Sequence, residues 1–214
     1  MTGITLSVSY AKYGDSITVT AQSPNDADGD ALNFYCATTS PASSTNADFC
    51  SSTGNTSPYS ISCTGTNPFN DDASHTIYCV LYDGAAYSTE HSANFTSDNT
   101  APSTTDDAPT GWQTTDVNIH LTCSDSGSGC STTQYRIDGG SWLTYDTNIL
   151  ISADGNHQID YNSTDNVGNV ESTHTIWVAI DTVAPSTAHD APTGWQADDV
   201  NTVSYTHLTL PTKA

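Results

Sequence analysis

Basic residues are almost missing from this sequence: Lys12, Arg136 and Lys213 stand against 24 acidic side chains, for a formal charge of -21. A polyphosphate backbone is bound by Lys and Arg that release its counterions, so nucleic acid is excluded as a partner. An anionic membrane surface would repel the chain for the same reason. Long apolar runs are missing too. Only 35% of the residues are hydrophobic, and no stretch reaches the roughly 20 residues that a membrane-spanning helix needs. Met1 to Tyr10 has neither the basic start nor the apolar run of an export signal, so either exporting and anchoring parts lie outside these residues or the chain is not extracellular. Ala, Leu, Glu and Lys, the residues that fill helices, are few or scattered. What is present instead is 11 Tyr, 4 Trp and many Val, Ile and Thr, which suit a pleated, half-buried surface. Disordered chains are poor in such residues, so the composition reads as all-β.

The six cysteines, Cys36, Cys50, Cys63, Cys79, Cys123 and Cys130, are even in number and show no C-x-x-C pair. With no His at ligand spacing they read as three disulfides in an oxidising compartment rather than a zinc site. Cys123 and Cys130 enclose six small, flexible residues and are expected to bond to each other. The other four allow three pairings, of which Cys36 with Cys50 and Cys63 with Cys79 is the expected one.

The chain repeats itself. Asp98 to Asn118 and Asp181 to Asn201 are identical at 15 of 21 positions, at an offset of 83 residues, the length of one compact domain. The likeness stops at Asn201. The run VSYTHLTLPT that follows resembles a sequencing adapter read as protein, so residues 203–214 are left out of the fold and function reading. Residues 98–180 lay out as short strands between turns. Val117, Ile119, Leu121 and Cys123 alternate with polar residues, Thr133 to Asp138 and Ser141 to Tyr145 flank the turn pair Gly139-Gly140, and further strands are expected at 148–152, 157–163 and 173–180. Seven or so strands in about 80 residues suggest a sandwich. Residues 1–97 keep this rhythm through Ile4-Leu6-Val8-Tyr10, Ile17-Val19 and Ile77-Cys79-Leu81, with a long polar surface loop from Cys36 to Tyr59. The expected organisation is two complete domains, 1–97 and 98–180, and the truncated start of a third at 181–202.

Three elements of the central unit, in this order, carry a family resemblance: DNTAP at Asp98 to Pro102, YRIDGGSW at Tyr135 to Trp142, and DGNHQIDYNSTDNVGNVE at Asp154 to Glu171. Together they resemble the extracellular immunoglobulin-like repeats of prokaryotic surface proteins and secreted hydrolases. In the first unit, NDADGDALNFY at Asn25 to Tyr35 resembles the acidic turn of polycystic-kidney-disease-type and cadherin-like β-sandwiches. These resemblances imply tandem immunoglobulin-like β-sandwich domains at the cell surface or outside the cell. They also imply adhesion, spacing of other domains or sugar contact, with surface glycans or proteins as partners.

Several residues invite a chemical reading. Asp26, Asp28 and Asp30 beside Gly29 suggest calcium, although the positions that should hold an EF-hand's Gly and its closing acid are Ala31 and Ala37. An acidic turn whose side chains accept backbone N–H groups accounts for them as well. Calcium is also conceivable beside the Ala-Pro segments after Asp98 and Asp181, where carboxylates of neighbouring turns could converge. Asp125, Asp138, Asp154, Asp160 and Asp165 could pair for glycoside hydrolysis, but most sit in turns, and no nucleophile elbow or metal-hydrolase motif accompanies them. No catalytic residue is assigned. Trp112, Trp142 and Trp177, with Tyr135, Tyr145 and Tyr161, could stack on sugar rings. Trp112 recurs as Trp195 at one repeat position, which favours packing for that pair. The expected function is thus a non-catalytic structural or adhesive spacer, with a carbohydrate-binding accessory domain of a secreted hydrolase as the alternative.

Overall fold

The computed structural model describes residues 1–22, 24, 30–56, 60–189 and 204–207. They divide into two compact units. The first takes in Met1–Ser103 with Ser124–Ser131 and Ser163–Glu171, and the second Thr104–Cys123, Thr132–Asn162 and Ser172–Ala214.

In the first unit β1 (Gly3–Leu6), β2 (Tyr10–Ala11), β3 (Ser16–Gln22), β4 (Ala31–Ala37), β5 (Cys50–Thr56), β6 (Ile61–Thr66), β7 (Ser74–Tyr82) and β8 (His91–Ser97) form two sheets. Their orders are β1-β3-β6 and β2-β8-β7-β4-β5. The two-residue period decides which side chains meet. Ile17, Val19 and Ala21 of β3 and Ile61 and Cys63 of β6 turn inward, and their neighbours stay wet. Across from them lie Leu32, Phe34, Ile77, Leu81 and Phe95, all buried. The chain leaves the smaller sheet after β1, and β2 joins the larger one in parallel with β8, Tyr10 opposite Thr96. This strand order is that of an immunoglobulin-like sandwich.

Residues 38–49 have a loop-like composition and form a loop, but Cys50–Thr56 is a strand, β5, paired antiparallel with β4. The Ser- and Thr-rich sequence hides it because an edge strand needs backbone partners more than apolar side chains. Carboxylates fasten the loop. Asp48 accepts the Thr38 N–H at 2.7 Å and its hydroxyl at 2.6 Å, and Glu90 accepts the Ala42 N–H at 2.6 Å and the Ser40 hydroxyl at 2.7 Å.

The disulfides differ from the expected pairing. Cys36 bonds Cys79, and Cys50 bonds Cys63. The reason lies in the central position of β4, where Cys36 stands opposite Cys50 on one side and Cys79 on the other. With Cys36 joined to Cys79 inside the larger sheet, Cys50 reaches across to Cys63 in the smaller one. That second bond straps sheet to sheet. Cys123 and Cys130 are also disulfide-bonded.

The second set of strands repeats the plan: β9 (Ser103–Asp106), β10 (Trp112–Gln113), β11 (Val117–Ile119), β12 (Leu121–Ser124), β13 (Cys130–Ile137), β14 (Leu143–Thr144), β15 (Ile149–Ile151), β16 (Gly155–Asp165) and β17 (His174–Ile180). The larger sheet runs β10-β17-β16-β13-β14, with β10 parallel to β17, while β11 pairs β15 and β12 pairs β9. Val117, Ile119, Leu121, Ile149, Ile151, Ile159, Tyr161, Val178 and Ile180 make the core. Tyr161 keeps its hydroxyl satisfied by donating to Asp106 at 2.7 Å. After β13 the turn is centred one residue earlier than Gly139-Gly140. Asp138 and Gly139 both have positive φ, 51° and 72°, and the Gly140 N–H donates to the Ile137 carbonyl at 2.9 Å. Asp is among the few non-glycine residues that tolerate this conformation. Ser186–His189 (β18) and Ser204–His207 (β19) form an antiparallel ladder.

On the chain-entropy view of cross-links, the Cys36–Cys79 bond, spanning 43 residues, contributes about 4 kcal/mol and the Cys50–Cys63 bond, spanning 13, about 3 kcal/mol. Denaturant unfolding of paired Cys→Ala variants should show this order. The reverse order, or peptide mapping that joined Cys36 to Cys50, would contradict the assignment.

Candidate functional site

Two places in the structure bring functional side chains together. The first is the outer face of the larger sheet of the second unit. Register sets its layout: Trp112 lies opposite Ala179, Gln158 opposite Trp177 and Asp160 opposite Thr175. Residues two apart along β17 share a face, so Thr175, Trp177 and Ala179 point the same way, with Trp112 beside them. Ile176, Val178 and Ile180 turn to the core side. Trp112 is 57% exposed and Trp177 55%. The expectation of a packing role for Trp112 is therefore corrected. Being on β10, at the sheet's edge and on its outer side, it has no second layer to enter. Trp195, its repeat counterpart, lies outside the described residues.

Between the aromatics sits a carboxylate that burial alone would disfavour. Asp160 is 3% exposed. It accepts hydrogen bonds from Gln158 Nε2 at 2.9 Å, Thr175 Oγ1 at 2.7 Å and Arg136 Nε at 2.9 Å, with Arg136 Nη2 at 2.8 Å. The Gln158 and Thr175 donors, followed by Arg136, outweigh desolvation and hold its carboxyl below the usual carboxylate range. The Arg136 guanidinium in turn lies 4.8 Å over the Trp142 ring. The face is thus a polar centre rimmed by three indoles, which can stack on a flat apolar surface and offer hydrogen bonds beside it.

The second place lies wholly within the first unit. Asp98, Asp125 and Asp165 come from three separate segments and bring one carboxylate oxygen each to within 4.8 Å of one another. Asp125 Oδ2 accepts the Gly127 and Gly129 N–H groups at 3.1 and 2.6 Å. Asp165 Oδ1 accepts those of Val167 and Asn169 at 3.0 and 2.8 Å. Asp98 Oδ2 accepts the Ser128 N–H at 2.6 Å. Gly127 is obligatory here, because a Cβ on it would meet the Asp98 carboxyl carbon at 2.4 Å.

The other sequence candidates do not converge. Asp26 and Asp28 lie outside the described residues, and Asp30 is exposed. Asp138 and Asp154 serve turns. Asp138 bonds His157 at 2.8 Å and accepts the Gln158 N–H at 2.8 Å, and these bonds override burial and keep its carboxyl below the ordinary value. Asp154 accepts the Thr182 N–H at 2.9 Å. Sequence spacing gave no sign of the Arg136–Asp160 pair, which depends on β13 and β16 being neighbours in the sheet.

No protein-family description matches the chain, and no curated protein matches it either. Among solved structures it is similar to the fibronectin(III)-like modules of Clostridium thermocellum CbhA, at 16% identity over 83% of this chain and 93% of that one, with a TM-score of 0.40. It is similar to murine CEACAM1b at 16% identity over 84% and 99%, TM-score 0.35. The D0-D1 domain of intimin follows at 13% identity over 81% and 97%, TM-score 0.32. The class of the fold stands on the strand order itself: all-β, in tandem immunoglobulin-like sandwiches.

Because the folded Asp160 carboxyl titrates below its unfolded value, its contribution is present above about pH 4 and is lost as pH falls through the lower folded value. Asp160→Asn should cost about 2 kcal/mol at neutral pH and flatten the acid side of the melting profile. An unchanged acid limb would contradict the role given to this carboxylate. Gly127→Ala should destabilise the protein by about 1–3 kcal/mol by overpacking against Asp98.

Proposed function

We propose that the chain is an extracellular, non-catalytic structural module that spaces or displays other parts of a larger surface or secreted protein. The observation that carries this reading is repetition. The strand order of the larger sheet is used twice, and the segment that begins at Asp98 recurs at Asp181. Repetition of a small sandwich extends a chain in steps without building a new site at each step. Disulfide bonds on all six cysteines suit an oxidising milieu, and among the described residues no helix is long and apolar enough to cross a membrane.

The mechanical geometry supports the same reading. In each unit an early strand runs parallel to a late one, β2 with β8 and β10 with β17. Tension between the two ends of such a unit loads that pair in shear, so its hydrogen bonds must break together. Pulling a single molecule by its ends should therefore give one abrupt unfolding event per unit. Gradual, low-force unravelling would overturn the spacer reading.

A second reading, contact with glycans, is favoured by the three exposed indoles around Asp160. Aromatic rings stack on the apolar faces of sugars, and the Arg136–Asp160–Gln158 cluster could set orientation. Glycan-array binding that disappears in Trp112→Ala and Trp177→Ala would support it. Binding that both variants retain, or none at all, would discard it.

A further inference from the structure

We propose that Asp98, Asp125 and Asp165 hold a divalent cation, with calcium as the ion that fits. Three acids close together are common on acidic proteins, and proximity alone would carry nothing. Burial changes the case. Asp98 is fully buried at 0% exposure and Asp165 is 2% exposed. Oδ1 of Asp98 and Oδ1 of Asp125, both buried, have no hydrogen-bond partner, and the hydroxyl of Ser128, whose own N–H donates to Asp98, has none either. Buried polar atoms are almost always satisfied, and an orphaned carboxylate oxygen is costlier than an orphaned neutral one.

The neighbours do not supply the missing charge. None of the ion pairs among the described residues uses these carboxylates. The nearby ammonium of Lys12 donates to the Gly168 carbonyl at 3.2 Å instead. What the backbone does supply is fixation. N–H groups hold one oxygen of Asp98 and one of Asp125, and leave the other of each pair without a partner. Three acidic oxygens within 4.8 Å of one another suit calcium, whose oxygen ligands at 2.3–2.6 Å stand no more than about 5 Å apart. A hard cation with flexible coordination can fill its remaining positions with the Ser128 hydroxyl and water. Magnesium demands a tighter octahedron and would bind more weakly.

The site draws its ligands from three segments, at Asp98, in Ser124–Ser131 and in Ser163–Glu171, so an ion there would tie together loops distant in sequence. Calorimetric titration of the chelator-stripped chain with calcium chloride tests this. We expect binding of one ion, a rise in melting temperature of several degrees at calcium a hundredfold above its Kd, and a weaker response to magnesium. Asp125→Asn should lower the calcium affinity at least tenfold. The triple variant Asp26→Asn, Asp28→Asn, Asp30→Asn should bind as the unaltered chain does, and it keeps the test open if Asp125→Asn does not fold. No calcium binding by the unaltered chain, undiminished binding by folded Asp125→Asn, or loss of binding in the triple variant would each overturn the proposal.

Discussion

The closing of one sheet over another is the interaction on which the rest of this structure depends, because the chain has so little else to bury. With 35% hydrophobic residues, the Ile and Phe side chains gather in the two cores, and the alternation along β3, β6, β11 and β15 helps place them there. Each such side chain contributes about 1.5–3 kcal/mol when fully buried, so a slip of one residue in any of these strands would expose its whole set. The Cys50–Cys63 strap acts at the same boundary. It joins the two sheets covalently next to Phe49, within the buried core of the unit.

A shortage of bases shapes the polar part as strongly. With three Lys and Arg, the 24 acids cannot be neutralised in pairs, and three of the four ion pairs among the described residues use His. The acids turn instead to neutral donors. Asp48, Asp83, Glu90, Asp107 and Asp138 each accept backbone N–H groups in turns or loops. Such bonds favour the ionised form, and the carboxyls of Asp83 and Asp107 lie below their ordinary range chiefly for this reason, while at Asp138 the His157 side chain, with the Gln158 N–H, overcomes the burial that opposes it. The acidity of the chain is thus largely a means of fastening loops. The exception is the group at Asp98, Asp125 and Asp165, where donors run short.

Much of the fold was legible in the sequence because its signal is local. Alternation of Val117, Ile119 and Leu121 announces a strand, and the recurrence of Asp98–Asn118 announces a repeating unit. Features that depend on which strands become neighbours were not legible. Four cysteines in one unit gave no clue that Cys36 would lie between Cys50 and Cys79. The polar run of β5 looked like loop because its partner, β4, supplies what its side chains lack. Trp112 suggested packing from recurrence alone, yet an edge strand's outward side has nothing to pack against. The acid-rich turns drew attention to Asp26, Asp28 and Asp30, whereas the carboxylates that converge come from segments up to 67 residues apart, from Asp98 to Asp165.

The central claim is that sheet-to-sheet burial, secured by disulfides, holds the first unit, while the apolar core of the second stands by itself. Amide hydrogen exchange on the oxidised and the reduced protein tests this most directly. The account predicts strong protection of β4, β7, β16 and β17 when the cysteines are bonded. On reduction, protection should collapse in β4 and β7 and persist in β16 and β17. Undiminished protection of β4 and β7 after complete reduction would contradict it.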